Sequence, residues 1–494
     1  MDWASQPNPF RSFSGAAEVL LAPHPDAAPG TAVVGSLLRH ALGLSAWKQF
    51  RGARWSLRVN PSSGNLHPTE AYVIGDPVAG AAAGAGVYHY APDRHALEHR
   101  CAFDSLSWAS AHSADPAFLI ALTSIHWREA WKYGERAFRY CQHDLGHAIA
   151  AVRIAADRLG LRATVMPEWS QRDIAALIGV DRDEDYVDAE REEPGCLLVV
   201  GRQPSSVDQT QVLGAVRNGR WTGKASQLSE DHVQWTFIDE VARTTADPGR
   251  IVAHPARPAH PAHPAHPAYP APVILQRRSA VALDGRSSIA ADRFFALLTQ
   301  TMATSAMPWD ALWWDARIHL ALFVHRVDDV EPGLYVLVRN ARTVDRLKAA
   351  CGREFLWDCA HPTLPLFLLQ RGDCRRLAQR LSCDQEIAAD GYFSLGMLAD
   401  FDASVEEFGA PFYRHLFWES GVVGQVLYLA AEAAGARGTG IGCFYDDPVH
   451  DVLGLQGHAF QSLYHFTIGM PVEDTRLTTE PGYGWERVAP NGSS

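Results

Sequence analysis

Four short stretches of the chain bring together residue types that can do chemistry. The first, Pro61-Ser62-Ser63-Gly64-Asn65-Leu66-His67-Pro68-Thr69-Glu70, gathers hydroxyls and a carboxamide in a turn stiffened by two prolines, with Gly64 free to take positive φ or to admit a ligand close to the backbone. Such a loop suits a planar polar ligand and loses little entropy on binding it; the plainer reading is a helix-to-strand loop with its serines satisfied locally. The second, Lys132-Tyr133, sets an amine beside a phenol, flanked by Trp127 and Trp131 and by Arg128, Glu129, Glu135 and Arg136. A lysine removes a substrate proton only where desolvation or neighbouring cations lower its pKa toward neutrality; otherwise it lies over a tryptophan with the tyrosine packed beside it. The third, Arg277-Arg278-Ser279, couples two fixed positive charges to a hydroxyl and suits a phosphate, or is an exposed basic pair. The fourth, Thr439-Gly440-Ile441-Gly442-Cys443-Phe444, reads as a flexible turn whose bare amides can approach a ligand edge, or as a simple helix-to-strand turn. Gln425 can reach a ligand from a long helix or bond to a backbone carbonyl, and His67, His126 and His143 are titratable groups with structural alternatives.

Composition narrows what these groups can act on. A formal charge of −12 argues against a nucleic-acid footprint. The N-terminus lacks a basic start and an apolar run, and no stretch has the length of a membrane span, so the expectation is a soluble cytoplasmic protein. Eight cysteines without paired short spacings give neither a disulfide framework nor a zinc pattern, and reduced thiols are the default. With 494 residues the chain is expected to hold at least two domains, and 15 tryptophans point to aromatic-lined pockets.

The elements that must position these groups follow from periodicity. Residues 31–48 read as a helix, 71–74, 87–90 and 118–123 as strands, 130–159 as a long helix stopped by Gly160, 170–178 as a helix ended by Gly179, and 196–200 as a closing strand. A polar stretch with one helix at 229–243 leads into a Pro/Ala/His repeat up to Pro272. Its His260, His263 and His266 would stand roughly 9 Å apart in polyproline geometry, too far to share a metal ion, so it reads as a stiff spacer. Helices near 289–302 and 415–434 and strands near 318–325, 333–338 and 463–468 follow. The expected division is domain 1 over 1–203, a linker over 204–272, domain 2 over 273–480 and a tail over 481–494.

The two domains are related. One constant offset carries Arg139 to Arg414, Gly146 to Gly421, Ala155-Ala156 to Ala430-Ala431, Gly160 to Gly435, Thr164 to Thr439 and Gly179 to Gly454. The repeat fails in a complementary way: domain 1 has Thr164-Val165-Met166-Pro167 where domain 2 has its glycines, and nothing like the serine-rich loop stands at Ala306-Met307-Pro308-Trp309-Asp310. Lys132-Tyr133 falls on Glu407-Phe408, and Gln425 on Ala150. The expectation is a covalent pseudo-dimer with one complete site assembled across its halves.

Taken together, Pro61 to Glu70, Lys132-Tyr133-Gly134-Glu135-Arg136, Arg277-Arg278-Ser279 and Gly438-Thr439-Gly440-Ile441-Gly442 resemble the FMN-dependent nitroreductase superfamily, specifically its SagB/ThcOx-type dehydrogenases with tandem nitroreductase domains. The resemblance implies an α+β fold, two tandem nitroreductase-like domains forming an intrachain pseudo-dimer, and one FMN per chain. It assigns the phosphate to Arg277, Arg278 and Ser279, the flavin N5 and O4 edge to Gly440, Ile441 and Gly442, with Gln425 near the ring, and the partner contribution to Pro61, Ser62, Ser63, Gly64 and Asn65. A further basic phosphate ligand of the family is replaced by Val281, which makes Arg476 the compensating candidate. Lys132 and Tyr133 match a pair implicated in proton removal by azoline oxidases. The implied activity is hydride transfer between flavin and an organic or peptide-bound substrate, with azoline-to-azole oxidation as its sharp form. An NAD(P)H-dependent nitro or quinone reductase and a non-catalytic scaffold are the alternatives. Expected partners are a small-molecule or peptide substrate, with no nucleic acid or membrane, and an intrachain pseudo-dimer that can assemble further.

Overall fold

The computed structural model describes residues 3, 5–27, 30–76, 84–111, 118–203, 207–252 and 269–487; His260, His263 and His266 lie outside them. The chain divides into two units, Met1–His254 with Ala311–Trp313 and Arg476–Ser494, and Pro255–Asp310 with Trp314–Thr475.

Unit 1 is built on an antiparallel sheet of β1 (Thr69–Gly75), β2 (Gly86–Ala91), β3 (Ala96–Ala102), β4 (Phe118–Ser124), β5 (Arg162–Val165) and β6 (Glu193–Gly201). Spatially the order is β3-β2-β1-β4-β6-β5. Helices α1 (His126–Tyr133) and α2 (Ala137–Asp157) follow β4, and α3 (Gln171–Ile178) follows β5. Strands β1 and β4 read as unbroken apolar runs because both faces are covered: Tyr72, Ile74, Leu119 and Ala121 join the core on one side, while α2 packs on the other. Every residue of α2 from Tyr140 to Ala156 is buried, so this helix packs on all its faces.

Unit 2 repeats the plan with β7 (Ile318–Val324), β8 (Gly333–Leu337), β9 (Leu366–Arg371), β10 (Phe393–Asp400), α4 (Phe401–Phe408), α5 (Phe412–Ala433), β11 (Arg437–Ile441), α6 (Asp446–Leu453) and β12 (Phe460–Gly469). Its order, β9-β8-β7-β10-β12-β11, matches that of unit 1 strand for strand. The offset read from the sequence carries the starts of β4, α1, α2, β5 and α3 onto those of β10, α4, α5, β11 and α6. The glycines that end the corresponding helices share one conformation, with φ of 72° at Gly179 and 69° at Gly454. The chain is an α+β fold present twice in tandem.

Several expected elements differ. The helix expected over 31–48 is helical only over Ala32–Ala41; Leu44–Phe50 then pairs with Ala53–Arg58 in a hairpin turned at Arg51 and Gly52, both at positive φ. The long helix from 130 is two helices, because Gly134 takes φ 58° with its α-carbon facing the Trp235 ring, where a Cβ would come within 3.0 Å. The expected linker is structured in its first part: a helix over Gln209–Arg217 is followed by Arg220–Trp221, which extends the unit 1 sheet beside β3, and a further helix spans Thr236–Thr244. The expected tail also belongs to unit 1. There Thr478–Pro481 pairs with Leu44–Phe50, and the buried Tyr483 hydroxyl donates to Pro92 O at 2.7 Å and accepts from the Leu44 amide at 3.0 Å. Cys383 and Cys443 form a disulfide, which corrects the expectation of reduced thiols throughout. Among the described residues no helix is long and apolar enough to cross a membrane.

Beneath the serine-rich loop, unit 1 holds a dry ionic network. His89, wholly buried, bridges Glu70 and Glu98 at 2.9 Å each, and Arg128 pairs with the other oxygen of Glu70. Burial opposes both charges, but Arg128 and His89 hold Glu70 down at about 2, and the two carboxylates hold His89 up at about 9. His89 therefore contributes stability that is complete below its ordinary 6.5 and lost as pH rises through 9, whereas Glu70 contributes above its ordinary 4.5 and loses it as pH falls toward 2. We expect the urea midpoint to decline at alkaline pH through this window, and His89→Leu to cost about 3–5 kcal/mol and flatten that decline. An alkaline limb unchanged by the substitution would refute the assignment.

Candidate functional site

The loop from Pro61 to Glu70 joins the hairpin to β1, and its shape is set by three positive φ values, 60° at Gly64, 60° at Asn65 and 54° at His67. Its polar side chains are engaged within unit 1. Ser62 Oγ accepts the His67 amide at 2.8 Å, Asn65 Nδ2 donates to Ser56 O at 2.8 Å, and the Ser63 amide and hydroxyl donate to Asp144 at 3.2 and 3.3 Å. Arg128 donates to His67 O at 2.7 Å, so the guanidinium that pairs with Glu70 also grips the middle of the loop. His67 is buried, and that burial together with Arg58 keeps its imidazole neutral, well below its ordinary range. Gly64 stays exposed at the tip, and a Cβ there would run into the Tyr133 hydroxyl.

That contact brings the second motif to the first. Tyr133 ends α1, and its hydroxyl lies against Gly64; the Lys132 Nζ stands 5.1 Å from the Tyr133 ring centroid. Lys132 is itself solvent-exposed, so burial does not supply the desolvation that a neutral lysine requires. Burial, with Glu129, Tyr140 and Asp144 nearby, raises the Tyr133 phenol above its ordinary range. The break at Gly134 lets α2 start afresh at Ala137 and carries Asp144 under Ser63. Glu129 and Asp144, both 1% exposed or less, were not singled out among the motifs; their sequence signal was acidic residues inside otherwise apolar helical faces.

Unit 2 gathers the third and fourth motifs around Tyr428 of α5. Its hydroxyl lies 2.9 Å from Ser279 Oγ and accepts the Gly440 amide at 2.8 Å, while the Arg277 guanidinium packs 4.9 Å from its ring centroid. A backbone bond from the Ala280 amide to Gly438 O, 2.9 Å, ties the two segments further. Residues 437–441 are therefore an edge strand paired with β12, not a flexible turn, and the Gly440 amide is held by a side chain. A Cβ at Gly440 would strike the Tyr464 hydroxyl, so only glycine fits. Gln425 lies one turn before Tyr428, buried, its Oε1 without a hydrogen-bond partner among the described residues. Ile441 is buried and Gly442 half-buried beyond the strand.

Charge at this site comes from Arg277, Arg278 and Arg437, all of which act on Glu432; burial raises that carboxyl and Arg437 pulls most strongly against the rise. Arg437 was missed in the sequence although it immediately precedes Gly438. Arg278 also bonds the carbonyls of Leu275 and Arg277, and Val281 is 86% exposed. Arg476 is in unit 1, its guanidinium 5.6 Å from the Phe50 ring centroid, whereas Arg277 and Ser279 are in unit 2. No cluster of residues able to hold a metal ion occurs among the described residues.

Residues 25–202 match the family model described as the nitroreductase family. Two curated relatives are a Methanocaldococcus jannaschii protein named as a nitroreductase, 29% identical over 150 residues, and the trifolitoxin-processing protein TfxB of Rhizobium leguminosarum bv. trifolii, 38% identical over 112 residues. These alignments cover 29% and 20% of this chain, and 69% and 30% of the relatives. A crystal structure from Anabaena variabilis, of a protein also named as a nitroreductase, shares the fold over 96% of this chain and 95% of its own, with a TM-score of 0.70 at 22% identity.

The Tyr428 bridge is open to direct measurement without any ligand. Tyr428→Phe removes the acceptor of the Gly440 amide and the partner of Ser279, so hydrogen exchange at Gly440 should accelerate and stability should fall by about 1–3 kcal/mol. Unaltered protection at Gly440 would show that the hydroxyl does not hold the strand.

Proposed function

As this chain belongs to the nitroreductase superfamily, we propose that it is an FMN-dependent oxidoreductase holding one flavin and acting as a SagB/ThcOx-type dehydrogenase. The observation that carries this reading is the convergence on Tyr428 of Arg277, Ser279 and Gly440. The residues fit the group. Arg277, Arg278 and Arg437 with the Ser279 hydroxyl supply the charge and donors that a phosphate needs, even with Val281 in place of a basic residue. The bare backbone at Gly440 and the unpartnered Gln425 Oε1 suit the polar edge of a planar ring. When bound, FMN supplies a two-electron acceptor for hydride.

The chain's own residues then have to orient the substrate and handle the proton. Lys132 and Tyr133 are the pair assigned to that proton, with Tyr133 fixed against Gly64 and Lys132 placing a positive charge over its ring. The residues Pro61 to Asn65 are assigned to the same cofactor on the sequence argument. The resemblance to azoline oxidases, and the match to a relative named for processing trifolitoxin, support a peptide-bound azoline as substrate. The match to the nitroreductase family model supports a second reading, an NAD(P)H-dependent reductase of nitro compounds or quinones.

The purified protein should be yellow and release one FMN per chain. Lys132→Ala should retain the flavin and lose substrate-dependent turnover by about 10²-fold or more. Full turnover in that variant would overturn the role of Lys132, and a colourless protein that takes up no FMN would favour a non-catalytic scaffold. Rapid bleaching by NADPH or NADH without a peptide selects the reductase reading.

A further inference from the structure

Two acids in unit 1 have no place in that reading. Glu129, on α1, is wholly buried, and neither of its carboxyl oxygens has a hydrogen-bond partner among the described residues. Asp144, on α2, is 1% exposed and accepts only from Ser63 in normal hydrogen-bond geometry, with the Ser62 hydroxyl beside both acids. Around them stand Lys132 and Tyr133 from α1, and Tyr140 and Cys141 from α2, which feel the charge of Glu129. Arg128, adjacent to Glu129 in the chain, is committed to Glu70 and His67 O.

The repeat shows that this arrangement is particular to unit 1. At the corresponding place on α5, Glu419 accepts from Trp314 Nε1 at 3.0 Å, from the amides of Arg317 and Ile318, and from the Arg339 guanidinium. The counterpart of Glu129 is Ser404. Unit 2 thus has one carboxylate neutralised by a permanent cation, whereas unit 1 has two carboxyls without an arginine. Two such acids deprived of water cannot both carry charge comfortably. Burial lifts Asp144 to about 7, and burial with Asp144 as neighbour lifts Glu129 well above the carboxylate range.

We propose that Glu129 and Asp144 share a single proton beneath the serine-rich loop and are the terminal acceptor of the proton released when the substrate is oxidised. The proposal rests on the dehydrogenase reading and deepens it. The substrate X–H bond breaks and its proton joins the Tyr133 oxygen as the original Tyr133 proton passes to the free carboxylate; the substrate's two electrons leave with hydride to the flavin. The pair goes from one proton to two and from one negative charge to none. Lys132 keeps its ammonium charge and steadies the singly charged pair, which accounts for a lysine that remains in water.

Difference infrared spectroscopy of the flavin-free protein tests the shared proton. A carboxylic-acid carbonyl band should disappear as pH is raised through about 7, and Glu129→Gln and Asp144→Asn should each abolish that titration. In the flavin-loaded protein, Glu129→Gln should bind FMN normally, lower single-turnover reduction about 10²-fold and remove the acid limb of its pH profile, with Glu129→Asp restoring part of both. If Asp144→Asn fails to fold, Glu129→Gln, which leaves the Ser63 bonds in place, carries the test. No titrating band, or an acid limb unchanged in Glu129→Gln, overturns the proposal. A titrating band in a protein that oxidises no substrate overturns the dehydrogenase reading and the relay while leaving the shared proton; oxidation without the band overturns the pair and leaves the dehydrogenase.

Discussion

A charge taken out of water must be answered where it is buried, and in unit 1 the answer to Glu70 is Arg128. That pair sits at the end of the serine-rich loop, and its guanidinium also holds His67 O, so the same ion pair that satisfies the dry interior fixes the loop against α1. His89 relays the constraint to Glu98 and thus across three strands of the sheet. With Arg128 committed in this way, Glu129 is left beside Asp144 without a guanidinium of its own. The loop, the tyrosine that lies on Gly64 and the acids beneath it are consequences of where one cation points.

The two units illustrate how a duplicated scaffold divides its chemistry. Backbone elements from β4 to α3 recur in β10 to α6, and even the left-handed glycines recur, because packing and chain direction constrain them alike. Side chains facing the polar pockets do not recur. Tyr428 anchors Gly440 in unit 2, where unit 1 has Arg153; Glu419 is an ion pair where Asp144 is a hydrogen-bond acceptor for a loop. Duplication preserved geometry and left the polar positions free to specialise.

Much of this was legible in the sequence. Apolar runs such as Phe118 to Thr123 and Cys196 to Val200 identify strands buried on both faces, and paired glycines after helices expose the repeat. Two kinds of information were not local. Residues 31–48 have helical periodicity throughout, but Leu44–Phe50 is claimed by cross-strand pairing on both of its edges, a tertiary preference that overrides periodicity. The site motifs were visible as Pro-Ser-Ser, Lys-Tyr, Arg-Arg-Ser and Gly-x-Gly segments, whereas Tyr428, Arg437, Glu129 and Asp144 act through neighbours distant in sequence. An aromatic or acidic residue within a helix carries no mark of which hydroxyl or amide it will meet.

The C-terminal arm has a consequence for how the protein is made. Unit 1 takes its third hairpin-sheet strand from Thr478–Pro481, buries Tyr483 between Leu44 and Pro92, and closes Arg39 with Glu486. On the ribosome those partners emerge after the whole of unit 2, so the first domain to be synthesised is the last to be completed. Until then the Leu44–Phe50 strand has a bare edge and Arg39 lacks its carboxylate, which makes the nascent N-terminal domain the part of the chain most exposed to mispairing and most dependent on translation running to its end.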